Sequence, residues 1–135
     1  MKVLFICVEN SCRSQMAEGF ARRLGLLAQS AGVRAGAGVN VQAIEVMQEI
    51  GIDIASHFSK PIDYESLGQY DAVISMCSVK TQDVCPSTFI GTQANWHIDD
   101  PKGESIDVFR RVRDEIGEKV AALVKSSSDS GRQAV

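Results

Sequence analysis

Lys2-Val3-Leu4-Phe5-Ile6-Cys7-Val8-Glu9-Asn10-Ser11-Cys12-Arg13 is the stretch on which the reading of this chain turns. Its first half, Lys2–Cys7, is an aliphatic and aromatic run behind a single lysine, the pattern of a strand buried on both faces. Its second half is polar and runs into helical spacing from Ser14. There Met16, Ala17, Phe20, Ala21 and Leu24 fall near one face, with Arg22 and Arg23 off it. A strand passing through a polar loop into a helix is the opening unit of an α/β fold. In open α/β sheets ligands gather at the carboxyl ends of the strands, where this loop lies.

Outward from that unit the alternation continues. Leu26–Ser30 reads as a short strand, and Gly32, Gly36 and Gly38 mark a loop. Val41–Ile50 has helical spacing through Ala43, Ile44, Met47 and Ile50, stopped by Gly51. Ile52–Leu67 is mixed, with Pro61 as a breaker. Tyr70–Met76 is a second strong strand, Cys77–Gln93 a loop with room for a short helix, and Ala94–Ile98 a short strand. Asp99-Asp100-Pro101-Lys102-Gly103 is a turn. The last helix spans Glu104–Lys125, with Ile106, Phe109, Val112, Ile116, Val120, Leu123 and Val124 as its apolar face. The expected architecture is an open four-stranded parallel sheet with helices on both faces, flavodoxin-like in plan. Residues 1–125 form one domain in this reading, and 126–135 a polar, frayed tail.

The 135 residues suffice for one core, and a net charge of −3 argues against nucleic acid as a partner. No apolar run reaches membrane-spanning length, and Val3–Val8 is too short for a signal-peptide core. The expectation is a cytoplasmic protein, monomeric, with no membrane partner. The chain's four cysteines are Cys7, Cys12, Cys77 and Cys85. In a reducing compartment such a set points to catalysis, redox exchange or metal binding before a disulfide framework.

The loop's chemistry favours an oxyanion. Its N–H groups can converge on an anion, and the helix N-terminus adds partial positive charge. Arg13 adds a planar fork suited to two oxygens at once. The same surroundings lower the pKa of a cysteine and make Cys7 a nucleophile, with Ser11 and Ser14 as donors to its thiolate. Two blander readings stand beside this one. In the first, Cys7 simply ends a buried strand and Arg13 is solvated. In the second, Cys7-x4-Cys12 is half of a zinc site, although Cys77-x7-Cys85 is widely spaced for its partner.

Cys-x5-Arg-Ser after a first strand, with Asp100-Pro101 before a final helix, resembles the low-molecular-weight protein tyrosine phosphatase family. Ile6 to Glu18, Ser75-Met76-Cys77-Ser78, Cys85-Pro86, Trp96 to Pro101 and Phe109 to Ile116 resemble more closely the arsenate reductases built on that fold. The three-cysteine pattern is similar to the thioredoxin-coupled class. The resemblance covers nearly the whole chain except the tail. It implies that Val8, Glu9, Asn10, Ser11, Cys12, Arg13 and Ser14 hold arsenate while Cys7 attacks it. Asp100 would protonate the departing oxygen, with Asp99 as a weaker candidate. Cys77 would then attack the Cys7 adduct, and Cys85 would take over the disulfide for thioredoxin to reduce. Cys12 would stand outside this relay.

The electron count gives the relay its own logic. Reducing arsenate takes two electrons, so a second thiol must be oxidised, whereas phosphoester hydrolysis needs one thiolate only. Two other functions stay open on sequence: a phosphatase using Cys7, Arg13 and Asp100, and an oxyanion or redox sensor without turnover. Some members of the family hold potassium beneath the loop. Asn10, Glu18 and Ser30 match three of those ligand positions, and Lys60 stands where an acidic ligand would. An ammonium there would replace the metal, so no bound cofactor and no potassium dependence are expected. Glu9, a carboxylate inside an anion loop, fits this picture least. His57, His97 and Trp96 take no part in it.

Overall fold

A computed structural model describes residues 1–36 and 38–133. Four strands, β1 (Lys2–Cys7), β2 (Leu27–Gly32), β3 (Ala72–Ser75) and β4 (Thr92–Asn95), form one sheet in the order β2-β1-β3-β4. All three pairings are parallel. The helices are α1 (Arg13–Arg23), α2 (Val41–Gln48), α3 (Thr81–Val84) and α4 (Ile106–Gln133), with a 3-10 turn over Tyr64–Gln69. This is the open four-stranded α/β architecture that the alternation of patterns predicts.

The two-residue period of β1 sorts its side chains between two cores. Val3 and Phe5 face one side, where Met16 and Ala17 of α1, Met47 of α2, and Phe109, Val112 and Ile116 of α4 pack on them. Leu4 and Ile6 face the other, against Ile62, Leu67, Val73, Val84 and Cys85. Every residue of β1 from Val3 to Cys7 is therefore buried. β4, at the edge, leaves Thr92, Gln93 and Asn95 exposed, which is why its sequence looks least like a strand.

Most boundaries shift by a residue or two from the sequence reading, and three of the shifts have a plain cause. β3 is shorter than Tyr70–Met76, because Tyr70 closes the 3-10 turn and only Ala72–Ser75 keep ladder partners on both sides. β4 lies two residues earlier than Ala94–Ile98, since the register against β3 starts at Ala72↔Thr92. α4 is the largest correction. It begins at Ile106 and runs to Gln133, through most of the stretch expected to be a frayed tail. No proline interrupts it, and each added residue of an established helix gains a hydrogen bond without a new nucleation cost. The last two residues of that expected tail, 134–135, lie outside the described residues. No described helix is long and apolar enough to cross a membrane.

Candidate active site

The chain runs from β1 to β2 on one side, then returns to β3 on the other. That reversal opens a crevice at the carboxyl ends of β1 and β3. Ile6 faces Ser75 in the ladder, and the Met76 N–H donates to the Ile6 carbonyl at 3.1 Å. Strand register thus delivers Cys7 and Cys77 to one place. Both line a cavity of about 390 Å³, together with Val8, Glu9, Ser11, Cys12, Arg13, Ser78, Asp100 and Lys102.

The loop's carbonyls are drawn outward. Cys7 O accepts from Val33 N–H at 3.2 Å, Val8 O from Arg34 N–H at 2.8 Å, and Ser11 O from Asn40 N–H at 2.9 Å. Glu9 O accepts from the Ser59 hydroxyl at 2.6 Å, and Asn10 O from the Gln15 amide at 3.1 Å. Engaging the carbonyls outside leaves the peptide N–H groups as the face toward the cavity, the nest geometry suited to an anion. Asn10 adopts φ 56°, the left-handed conformation that asparagine tolerates better than most residues, and this tightens the loop. Gly32 gives it room: a Cβ there would lie 2.6 Å from Val8 O.

Arg13 opens α1 and is nearly buried. Its Nη1 donates to Met76 O and to Ile98 O, each at 2.8 Å, which fixes the guanidinium across the ends of β3 and β4. Its Nη2 lies 3.7 Å from Asp100. Its Nε is buried and has no protein partner. A buried unpaired donor is costly, so an orphaned N–H beside an anion-shaped loop is a donor held for a ligand. Asp100 accepts the Lys102 N–H at 3.0 Å through its other oxygen, which orients the carboxyl at the rim. Asp99 does not line this cavity. It turns to Arg111 at 3.3 Å, so of the two adjacent acids Asp100 is the one brought to the site.

The two thiols at the crevice shift each other's pKa in opposite directions. The Cys7 S–H bond toward Cys77 lowers the Cys77 pKa to about 6, against the opposing effect of burial. The Val79 N–H, the Ser75 hydroxyl and Arg13 reinforce it. Cys7, expected from its place in the loop to be lowered, is instead pushed up, first by that same contact and then by burial, while Arg13 and the Val8 N–H pull it back only in part. The contact thus favours the thiolate on Cys77 and holds the proton on Cys7, so Cys7 becomes the nucleophile once that proton passes to Cys77.

Cys12 and Cys85 behave differently. Ser11 donates to the Cys12 sulfur at 3.7 Å, not to Cys7, which corrects the expected role of its hydroxyl. Ser14, beneath the loop, accepts from the Asn10 amide at 2.9 Å. Cys12 is buried, and burial raises its pKa. Cys85 does not line the cavity. It is packed with Leu4, Ile6, Leu67 and Val73, and burial raises its pKa as well. The static structure thus joins Cys7 to Cys77 and holds Cys85 apart.

Beneath the loop lies a network only partly legible in sequence. Asn10 Oδ1 accepts from the Lys60 backbone N–H at 2.9 Å and from the Gln15 amide at 3.0 Å. Glu18 is almost fully buried. It receives the Ser30 hydroxyl at 2.6 Å, Arg22 at 3.0 Å, and His57 and the Lys60 ammonium at 3.5 Å each. Burial lowers the His57 pKa, and Glu18 opposes that shift. Gln15, Arg22, His57 and Ser59 escaped the sequence reading. The polar residues of α1 at buried helix positions, Gln15 and Glu18, are the signal that would have revealed them. Glu9 turns to Lys102, with Oε2 to Nζ at 2.7 Å. Among the described residues no three histidine, cysteine or carboxylate side chains gather to hold a metal.

The low molecular weight phosphotyrosine protein phosphatase family model matches residues 2–132 of the chain. The glutaredoxin arsenate reductase of Synechocystis is 40% identical over 132 residues, covering 94% of this chain and 98% of that protein. The arsenate reductase of Halalkalibacterium halodurans is 44% identical over 134 residues, covering 92% and 95%. Among solved structures, an arsenate reductase in its phosphate-binding state superposes with a TM-score of 0.82 at 40% identity, covering 93% of this chain and 97% of that one.

Proposed function

The chain belongs to the low molecular weight phosphotyrosine protein phosphatase family, and on that footing we propose that it reduces arsenate to arsenite. The observation that carries the reading is the meeting of Cys7 and Cys77 in one oxyanion cavity, beside a buried Arg13 Nε without a partner. A phosphatase needs the first thiol and the arginine. Only an electron-transferring site needs the second thiol.

Arsenate rests on the loop N–H groups and the Arg13 fork. The Cys7 thiolate forms a bond to arsenic, and the departing hydroxyl takes a proton from Asp100 and leaves as water. The Cys77 thiolate then attacks the Cys7 sulfur. The sulfur–arsenic bond breaks and its electron pair stays on arsenic, so arsenic(V) becomes arsenic(III) and two thiols become one disulfide. Cys85 next attacks Cys77, releasing Cys7 as a thiolate beside Arg13. Because Cys85 starts packed among Leu4, Ile6 and Val73, this step needs the 77–85 segment to shift. A dithiol protein of the thioredoxin type then reduces the Cys77–Cys85 bridge.

The support beneath the loop does not fit a potassium ion. Arg22 and the Lys60 ammonium already flank Glu18, with His57 filling the space beside them, and an added cation would sit among like charges. Activity in sodium and potassium buffers is expected to agree within about twofold; strong activation by potassium would refute this part.

The deciding assay is arsenate-dependent NADPH consumption, with thioredoxin or glutaredoxin and the matching reductase, for the wild type, Cys77→Ser and Cys85→Ser. Loss in both variants is the expected result, with thioredoxin the better donor. Intact phosphoester hydrolysis without arsenate turnover would mark a phosphatase. No turnover of either kind would mark a sensor. A better rate with glutaredoxin would reassign the donor only.

A further inference from the structure

We infer that the Glu9–Lys102 ion pair is a specificity bar across the cavity rim, admitting small inorganic oxyanions and obstructing phosphoesters. The inference rests on the oxyanion site of the preceding reading and names what that site selects.

Glu9 belongs to the loop that cradles the anion, and Lys102 to the turn that carries Asp100. Their contact at 2.7 Å therefore joins the two walls of the same cavity. Their side chains are 38% and 51% exposed, whereas Cys7 is buried, so the bridge lies at the mouth and the nucleophile at the floor. Both ends are anchored. The Glu9 carbonyl accepts from Ser59 at 2.6 Å, and the Lys102 N–H is held by Asp100 at 3.0 Å. Lys102 precedes Gly103, which turns at a φ of 83°, and its ammonium reaches Glu9 of the loop.

Geometry then separates two classes of substrate. Any tetrahedral oxyanion attacked by Cys7 must direct its leaving oxygen toward Asp100. In arsenate or phosphate that oxygen carries at most a proton and fits beneath the bridge. In a phosphomonoester it carries the organic group, which must leave the cavity between the Asp100 turn and the loop. That is the gap Glu9 and Lys102 span. An ester enters only by displacing the pair, while an inorganic anion leaves it intact. The bridge also explains a carboxylate in an anion loop: Lys102 neutralises Glu9, so the pair adds bulk at the rim without net charge.

Calorimetric titration of the reduced protein with inorganic phosphate and with benzylphosphonate, a non-hydrolysable ester analogue, tests this without turnover. The Glu9→Gln/Lys102→Gln double variant keeps the net charge and breaks the bridge; Glu9→Lys/Lys102→Glu restores it in reverse. The wild type should favour phosphate. The isoelectric double variant should shift the phosphate-to-benzylphosphonate affinity ratio at least fivefold toward the ester analogue, and the swapped pair should return most of that shift. An unchanged ratio in the double variant, or a swap that restores nothing, would overturn the inference. Phosphate binding without arsenate reduction would defeat the proposed reaction alone and leave the ratio readable. A wild type that binds neither anion would overturn both.

Discussion

Arg13 shows how much one residue can be asked to do. One of its nitrogens is spent on the carbonyls of Met76 and Ile98, and the rest of the fork is left for ligand and acid. A lysine cannot divide itself this way. Arg13→Lys should lower kcat/KM for arsenate by about 100-fold or more, as loss of an oriented oxyanion donor does. Steady-state kinetics would check it, with circular dichroism confirming that the fold survives. Cys77 makes a second prediction. In the proposed reaction its thiolate attacks, and in the free protein its pKa is lowered to about 6, first by the Cys7 contact. Alkylation of Cys77 in the reduced, ligand-free protein, where Cys7 is still a thiol, should therefore rise with pH through about 6 and level off above it. A rise centred near the ordinary thiol value would show that Cys7 does not share its proton with Cys77.

Among the elements, the loop between β1 and α1 depends on residues outside it. Its carbonyls are taken by Val33, Arg34, Asn40 and Ser59, and Asn10 is tied to Ser14, Gln15 and Lys60. Asn10→Ala leaves buried donors unpaired and puts alanine at a left-handed φ. It should cost about 2 kcal/mol. For a chain of this length that is a fall of roughly 7 °C in Tm by calorimetry. Phosphate affinity should fall with it, because the N–H groups lose their fixed aim. A loop that merely joined two elements would tolerate the change.

On the scale of the whole molecule, the proposed relay would cross a boundary between two packed regions. Cys7 and Cys77 meet at the crevice, while Cys85 is buried in the cluster with Leu4, Ile6 and Val73. Forming the Cys77–Cys85 disulfide must pull Cys85 out of that cluster. Arsenate-oxidised wild type should therefore show faster amide exchange over 77–89 than the reduced protein, and a Tm lower by several degrees. Cys85→Ser, arrested at the Cys7–Cys77 disulfide, should show neither. Equal protection in all states would mean that Cys85 reaches Cys77 without disturbing its packing.

Much of this protein was written in local sequence. The run Lys2–Cys7, the helical spacing after Ser14 and the Cys-x5-Arg loop declare a buried strand, a helix and a candidate anion site, because each depends on neighbours along the chain. Buried β1 was legible for the same reason. Exposed β4 and the long polar end of α4 were misread because their boundaries depend on pairing partners and helix propagation, which composition does not reveal. What only the tertiary structure decided are the meetings between distant residues. It brought Cys7 to Cys77 through strand register, separated Asp100 from Asp99, and packed Cys85 away from the site. It closed Glu9 onto Lys102, ninety-three positions along the chain, and set Lys60 against Glu18. Periodicity fixes what a residue faces within its own element; which other element waits there is set only when the sheet order brings the loops together.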